Sequence, residues 1–284
     1  MTARGYVYAA TGDAYVTLAR RSARSLRKVI GADVPIDLFT DQKITDPVFD
    51  RVHALQHRSR RPKMEALRNS RFQKTVYLDA DTICVAPIDD IFDILDRADL
   101  AACAEQRRND MRVRMQHRLG EVPAAFPQIN SGVIGLRKSP ATDKLLQDWH
   151  QITHSGQDKF DQHSLRYLLF HSDLRFHTLP AEYNVLYFGP FMLRAGAFAA
   201  PRLLHLPVLH KLPAGDPSRP LVASDALGPK QIAHVAAHLQ ADQTIAAHVS
   251  LTEGGSGAEF RHPHDTLRGK IRNILREYLR RPIR

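Results

Sequence analysis

The sequence predicts an α/β fold with a mainly parallel central sheet and helices on both of its faces. Two observations carry that expectation. Short β-prone runs alternate with segments of helical periodicity along the chain. A length of 284 residues, with 43% hydrophobic and 25% charged side chains, is enough for one large α/β domain with an appendage or for two small domains.

The elements follow in order. "GYVYAAT" is a β-prone run broken by Gly12 and Asp13, and Tyr15 to Ile30 then carries apolar residues at helical spacing with arginines opposite. "VPIDLFTD" predicts a second strand ending at Asp41, "ALRNSRF" a helix, and "KTVYL" a further strand ending at Asp79. The basic stretch Gln106 to Arg118, "QRRNDMRVRMQHR", reads as a mobile loop or a solvated helix. "QINSGVIGLRKS", residues 128 to 139, reads as a turn and a buried strand. "DKLLQDWHQI" is an amphipathic helix, and "DQHSLRYLLF" opens another with an acid in its first turn.

Past about residue 215 the character changes. "PAGDPSRP" is loop, "PKQIAHVAAHLQ" a modest helix and "TEGGSGAEF" a flexible connector. In the last stretch Leu267, Ile271, Ile274, Leu275, Tyr278 and Leu279 share one helical face, with arginines over much of the remainder. The expected organisation is a domain over 1–215 and a helical extension over 216–284.

The net charge of +10 and pI near 9.8 favour a polyanionic partner: nucleic acid, an acidic membrane surface or a phosphorylated small molecule. The broad apolar face of the final helix suits an anionic membrane surface, through 263–284, better than a nucleic-acid groove, and no nucleic acid is expected. Packing of that helix on its own domain or on a second copy, as a homodimer, is the competing reading. Cys84 and Cys103 fit neither a disulfide framework nor a zinc spacing and read as buried thiols in a reducing compartment. With no run of signal-peptide or membrane-span length, the expectation is a cytoplasmic protein, with any membrane attachment peripheral and on the inner face.

In "TVYLDADTIC" an apolar strand runs directly into Asp79 and Asp81. In doubly wound sheets ligands gather outside the carboxyl ends of the strands, where this pair and Thr11 fall. Two acids near a core repel each other and lose hydration unless a cation offsets both. A divalent ion bound by hard oxygens does so and can bridge nucleotide phosphates; an arginine partner is the other solution. No P-loop and no G-x-G-x-x-G is present.

"YVYAATGDAY", "YLDADTI", "NSGVIGL", Asp161–Gln162, "LPAEYN" and "HLPVLHK" occur in the order seen in glycogenin-like retaining glycosyltransferases, which the chain resembles over roughly residues 5 to 212. The resemblance implies a GT-A fold, a single Rossmann-like domain, acting on a nucleotide-diphospho-sugar. It implies that Asp79 and Asp81, flanking Ala80, hold manganese or magnesium with His205, and that Lys211 contacts the donor diphosphate. Ala9, Thr11 and Tyr15 fall at nucleotide-contacting positions, with Tyr15 where a ring stacks on uracil. Lys63 matches a basic residue on donor phosphate and sugar. Asn130, Ser131 and Gly132 match a segment lining the sugar pocket, and Asp161 and Gln162 the pair beside the anomeric carbon. Val208 and "KLP" depart from the family pattern after the metal histidine, which makes His210 a rival ligand, and Gly12 replaces a nucleotide-contacting side chain.

The expected activity is metal-dependent transfer of a hexose from a nucleoside diphosphate sugar, a UDP-sugar, to a glycan, lipid-linked or protein acceptor, with retention, in cell-surface glycan synthesis. The charge that gathers on a departing β-phosphate is what such cations stabilise. The alternative is a catalytically degenerate GT-A scaffold serving as a basic membrane- or polyanion-binding module. His234 and His238, four apart on a predicted helix, read as a solvated face with no third metal ligand.

Overall fold

A computed structural model describes residues 2–56, 61–108, 119–155, 161–193, 197–245 and 248–253. Its centre is a seven-stranded sheet made of β1 (Thr2–Ala10), β2 (Ile36–Thr40), β3 (Arg51–Ala54), β4 (Phe72–Leu78), β6 (Leu100–Ala104), β7 (Ile129–Arg137) and β8 (Phe176–Leu179). The spatial order is β3-β2-β1-β4-β7-β6-β8. Each neighbouring pair is parallel except those made by β7, which runs against both β4 and β6. The mainly parallel sheet expected from the alternating pattern is therefore present. Its one reversed strand carries no sign in the sequence.

Strand alternation sends successive side chains to opposite faces and builds two apolar layers. Tyr6, Tyr8, Ile36, Leu38, Val76 and Leu78 face one layer, which the helix α1 (Asp13–Ile30) completes with Val16, Ala19, Ala23 and Leu26. Those four recur at helical spacing, the sequence signature of one buried face. Helix α1 stops at Gly31, whose φ of 67° is left-handed and whose N–H closes on Arg27 O at 3.0 Å. Val7, Phe39, Tyr77, Ile134 and Leu136 face the other layer. There Met64 and Leu67 of α2 (Lys63–Asn69) and Trp149 of α4 (Pro140–His154) join Leu165 of α5 (Asp161–Phe170), a short α3 (Ile91–Ile94) lying earlier in the chain.

A second, two-stranded sheet pairs β5 (Thr82–Cys84) antiparallel with β9 (Leu203–His205), in a register that sets His205 opposite Thr82. Leu206 N–H donates to Asp81 O at 2.9 Å and extends the pairing by one residue. A histidine far downstream in the chain is thereby fixed beside the second aspartate.

The segment after residue 215 packs on the first apolar layer through Leu221, Ala223, Leu227, Leu251 and, from α7 (Pro229–Ala241), Val235 and Leu239, with α6 (Phe188–Met192) alongside. Arg21 of α1, 8% exposed, donates to Ala214 O, Arg219 O and Pro220 O and pairs with Asp225 at 2.8 Å. The His234/His238 face is a correction to the sequence reading. His238 is fully buried, its Nε2 lies 3.2 Å from His234 Nε2, and both rings lie against Phe191.

Cys84 and Cys103 are buried free thiols, and burial pushes both well above the usual thiol range. Among the described residues no helix is long and apolar enough to cross a membrane. The amphipathic helix expected near 263–284 and most of the basic stretch ending at Arg118 lie outside the described residues.

Candidate active site

The sheet order changes direction between β1 and β4, since β1 has β2 on one side and β4 on the other. A crevice at such a switch point opens beyond the carboxyl ends of both strands. Here it is a cavity of about 1180 Å³. Strand β1 delivers Ala9, Ala10 and Thr11 to its wall, and β4 delivers Asp79, Ala80 and Asp81. Because β7 runs the opposite way, its first residues, Asn130 and Ser131, arrive at the same rim. Strand β6 leaves the sheet at that rim too, and Glu105 N–H bonds Gln128 O at 2.7 Å.

Of the site residues expected from sequence, Ala9, Thr11, Tyr15, Lys63, Asp79, Ala80, Asp81, Asn130, Ser131, Asp161, Gln162, His205 and Lys211 all line this cavity. Gly132 lies just behind it, against His205. His210 lines it as well, its ring 4.8 Å from that of the half-exposed Tyr15. Lys211 stands exposed at the rim, at the end of the 3-10 turn that Pro207 opens.

The two aspartates have different surroundings. Asp79 is partly open, accepts from Tyr77 Oη at 2.7 Å and faces Lys63 Nζ at 3.1 Å. Burial and then the neighbouring Asp79 push the Tyr77 phenol well up, so it stays a donor. Asp81 is 2% exposed, with His205 Nε2 at 3.3 Å and His210 Nε2 at 3.0 Å. Burial alone would raise its carboxyl, but the two imidazoles reverse that and hold it far below the usual carboxylate range. Burial would likewise lower His205, and Asp81 outweighs it, leaving the imidazole raised. The neighbours that offset these acids are a lysine and two histidines; neither acid pairs with an arginine among the described residues.

Ligand atoms of Asp79, Asp81 and His205 lie within 4.8 Å of one another. His205 Nδ1 is engaged by Asn184 Oδ1 at 2.9 Å, which leaves Nε2 turned toward the carboxylates. Two carboxylates and an imidazole suit a divalent cation, and the nitrogen tilts the choice from magnesium toward manganese. The residues fit such an ion.

Lys63 is buried although charged. Its Nζ donates to Ser131 O and Oγ, both at 3.0 Å, and lies 3.7 Å from Asp161 as well as beside Asp79. Asp161 opens α5, takes the Ser131 hydroxyl at 3.0 Å and pairs with Arg61, while its backbone oxygen accepts Trp149 Nε1 at 2.7 Å. Sequence reasoning misses Arg61. It also misses Glu105, Gln128 and the Arg107–Tyr187 pair at the cavity wall, where the guanidinium stands 4.1 Å above the ring. Asn184 falls within "LPAEYN", a motif that by itself assigns it no role.

Residues 73–206 match the nucleotide-diphospho-sugar transferase family. That stretch holds the D-x-D, the β7 residues, Asp161, Gln162 and His205. Among solved structures, glycosyltransferase GlyE of Streptococcus pneumoniae TIGR4 superposes with a TM-score of 0.51 at 21% identity, covering 72% of this chain and 54% of GlyE. An active-site mutant of LgtC gives 0.52 at 14% identity, covering 72% of this chain and 87% of LgtC. The fold is GT-A. This chain thus spans about half the length of GlyE and most of LgtC's. No curated protein sequence matches it. The resemblance read from the motifs is supported by that match over residues 73–206, and the fold that it implies is the one observed.

Proposed function

We propose that the protein is a metal-dependent glycosyltransferase that moves a hexose from a nucleoside diphosphate sugar, a UDP-sugar, to a glycan, lipid-linked or protein acceptor with retention of configuration. The observation that carries this reading is the grouping of Asp79, Asp81 and His205 at the wall of the cavity, inside the segment that matches the family. When bound there, a cation such as manganese would supply positive charge against the donor diphosphate.

The protein's own groups do the rest. Lys211 at the rim meets a phosphate oxygen that the cation cannot neutralise alone. Tyr15, half-exposed at the cavity mouth, offers a face for the uracil ring. Lys63 is held by Ser131 between Asp79 and Asp161, so it reaches the junction of diphosphate and sugar without freedom to swing away. Fixed donors aimed at developing charge are usually the largest catalytic contribution. Asp161 and Gln162 lie where the anomeric carbon would develop oxocarbenium character. Asp161 serves either as the nucleophile of a double displacement or as a counter-charge while the acceptor enters on the leaving-group face; both routes retain configuration.

The test is nucleotide release from a panel of nucleotide sugars with Mn²⁺, with excess chelator, and with Asp81→Ala. UDP release that needs the metal and is lost in the variant is expected. Turnover unaffected by chelator and by Asp81→Ala would sink the metal mechanism.

A further inference from the structure

Behind the cavity wall a series of buried hydrogen bonds ends on His205. Its Nδ1 lies 2.9 Å from Asn184 Oδ1, and Asn184 Nδ2 donates to Asn130 Oδ1 at 2.9 Å. Asn130 Oδ1 also accepts the Gly132 N–H at 3.0 Å, and Asn130 Nδ2 donates to Glu105 Oε2 at 3.2 Å. Glu105, Asn130, Asn184 and His205 are all buried, and Asn184 is not among the cavity-lining residues. It is placed to act on the site only through its neighbours.

The direction of this series follows from its peptide end, since a peptide N–H only donates. Asn130 must therefore turn its amide nitrogen to Glu105 and its oxygen to Gly132. That oxygen can receive only a donor from Asn184, so Asn184 turns its nitrogen inward and its oxygen to His205. A carbonyl oxygen 2.9 Å from Nδ1 requires the proton on that nitrogen.

We propose that Asn184 is a positioning residue that, with its amide oriented by Asn130 and Glu105, holds His205 as the Nδ1–H tautomer and reserves Nε2 as the lone-pair donor to the cation. The purpose of the arrangement rests on the proposed metal-dependent function; the proton on Nδ1 does not, although without a cation Asp81 Oδ1, 3.3 Å from Nε2, competes for a proton on that nitrogen. Partners that fix a ligating histidine in this way typically change metal affinity about 10–100-fold when removed.

Two readouts test it. Nitrogen-15 NMR of the full chain, metal-free and above the imidazole titration, reports the His205 tautomer, assigned by difference from His205→Gln. Electron paramagnetic resonance reports Mn²⁺ binding without donor. The Nδ1–H tautomer is expected in wild type and in Asn184→Asp, where a carboxylate still accepts from Nδ1. In Asn184→Leu the proton should move to Nε2, which still faces Asp81 at 3.3 Å, and Mn²⁺ binding should weaken about 10–100-fold. A wild-type His205 with no proton on Nδ1, or unchanged Mn²⁺ binding in a folded Asn184→Leu, overturns the proposal. If the leucine variant does not fold, the wild-type tautomer and Asn184→Asp decide. An Nδ1–H tautomer in a wild-type protein that binds no Mn²⁺ upholds the relay and instead removes the metal-dependent function, so the two failures are told apart.

Discussion

Gly132 and His205 are in such close approach that a Cβ on Gly132 would stand 2.3 Å from His205 Cε1 and 2.6 Å from Nδ1. A contact that short forces one of the two to move, and His205 is held from behind by Asn184. Gly132→Ala should displace the imidazole from the carboxylates and lower Mn²⁺ affinity at least about 10-fold. Overpacking of this kind costs about 1–3 kcal/mol of stability. Mn²⁺ titration alongside thermal melting checks both, and full affinity in the alanine variant would mean that the approach is not limiting.

Lys63→Met removes the ammonium that stands between Asp79 and Asp161 while keeping much of the side chain's volume. The expected result is a loss of about 10²–10³ in kcat for donor turnover, the scale seen when one fixed charge-stabilising donor is deleted. Lys63→Arg should not restore it, because Nζ meets Ser131 at two atoms in a buried slot that a planar guanidinium does not match. Steady-state kinetics with the preferred nucleotide sugar decides.

Arg21 ties three carbonyls and Asp225 of the stretch that follows Lys211. Arg21→Met leaves those acceptors without a charged donor and should destabilise the fold by about 1–3 kcal/mol. Because Ala214 follows Lys211 closely in the chain, the donor KM should rise more than kcat falls. Chemical denaturation and a KM-against-kcat comparison read the two effects separately.

Asp46 sets a pH dependence. Burial would raise its carboxyl, but hydrogen bonds from Arg24, the Val48 N–H and Arg20 lower it below its ordinary value. A group depressed in the folded state stabilises above its unfolded pKa, about 3.9. That contribution is lost as pH falls through the lower folded value. Asp46→Asn should therefore lose stability at neutral pH and show a shallower decline below about pH 4 than wild type, measured by melting temperature across pH.

The parts of the fold and site that are legible in the sequence are those written locally. "TVYL" before Asp79 announces both a buried strand and where it stops, and the helical spacing of Val16, Ala19, Ala23 and Leu26 announces α1. The motif order places Asp161 and His205 near the D-x-D without any geometry. Strands β3, β6, β8 and β9 escape such reading because they are three to five residues long, and β7 gives no local sign of its reversed direction. Arg61, Glu105 and Tyr187 reach the cavity from separate strand and helix ends, so their proximity exists only in the folded topology. His238 misleads because four-residue histidine spacing on a polar-looking helix does not reveal that Phe191 covers it.

The bond between Glu105 and Gln128 closes the base of an excursion at the cavity mouth, with both of its feet anchored in the sheet and both facing the opening. The ends of β6 and β7 are thereby pinned to one another across the opening, and Arg166 secures the returning limb by donating to Pro123 O and Phe126 O. A change made on one side of this wall is passed to the other side instead of being absorbed between them.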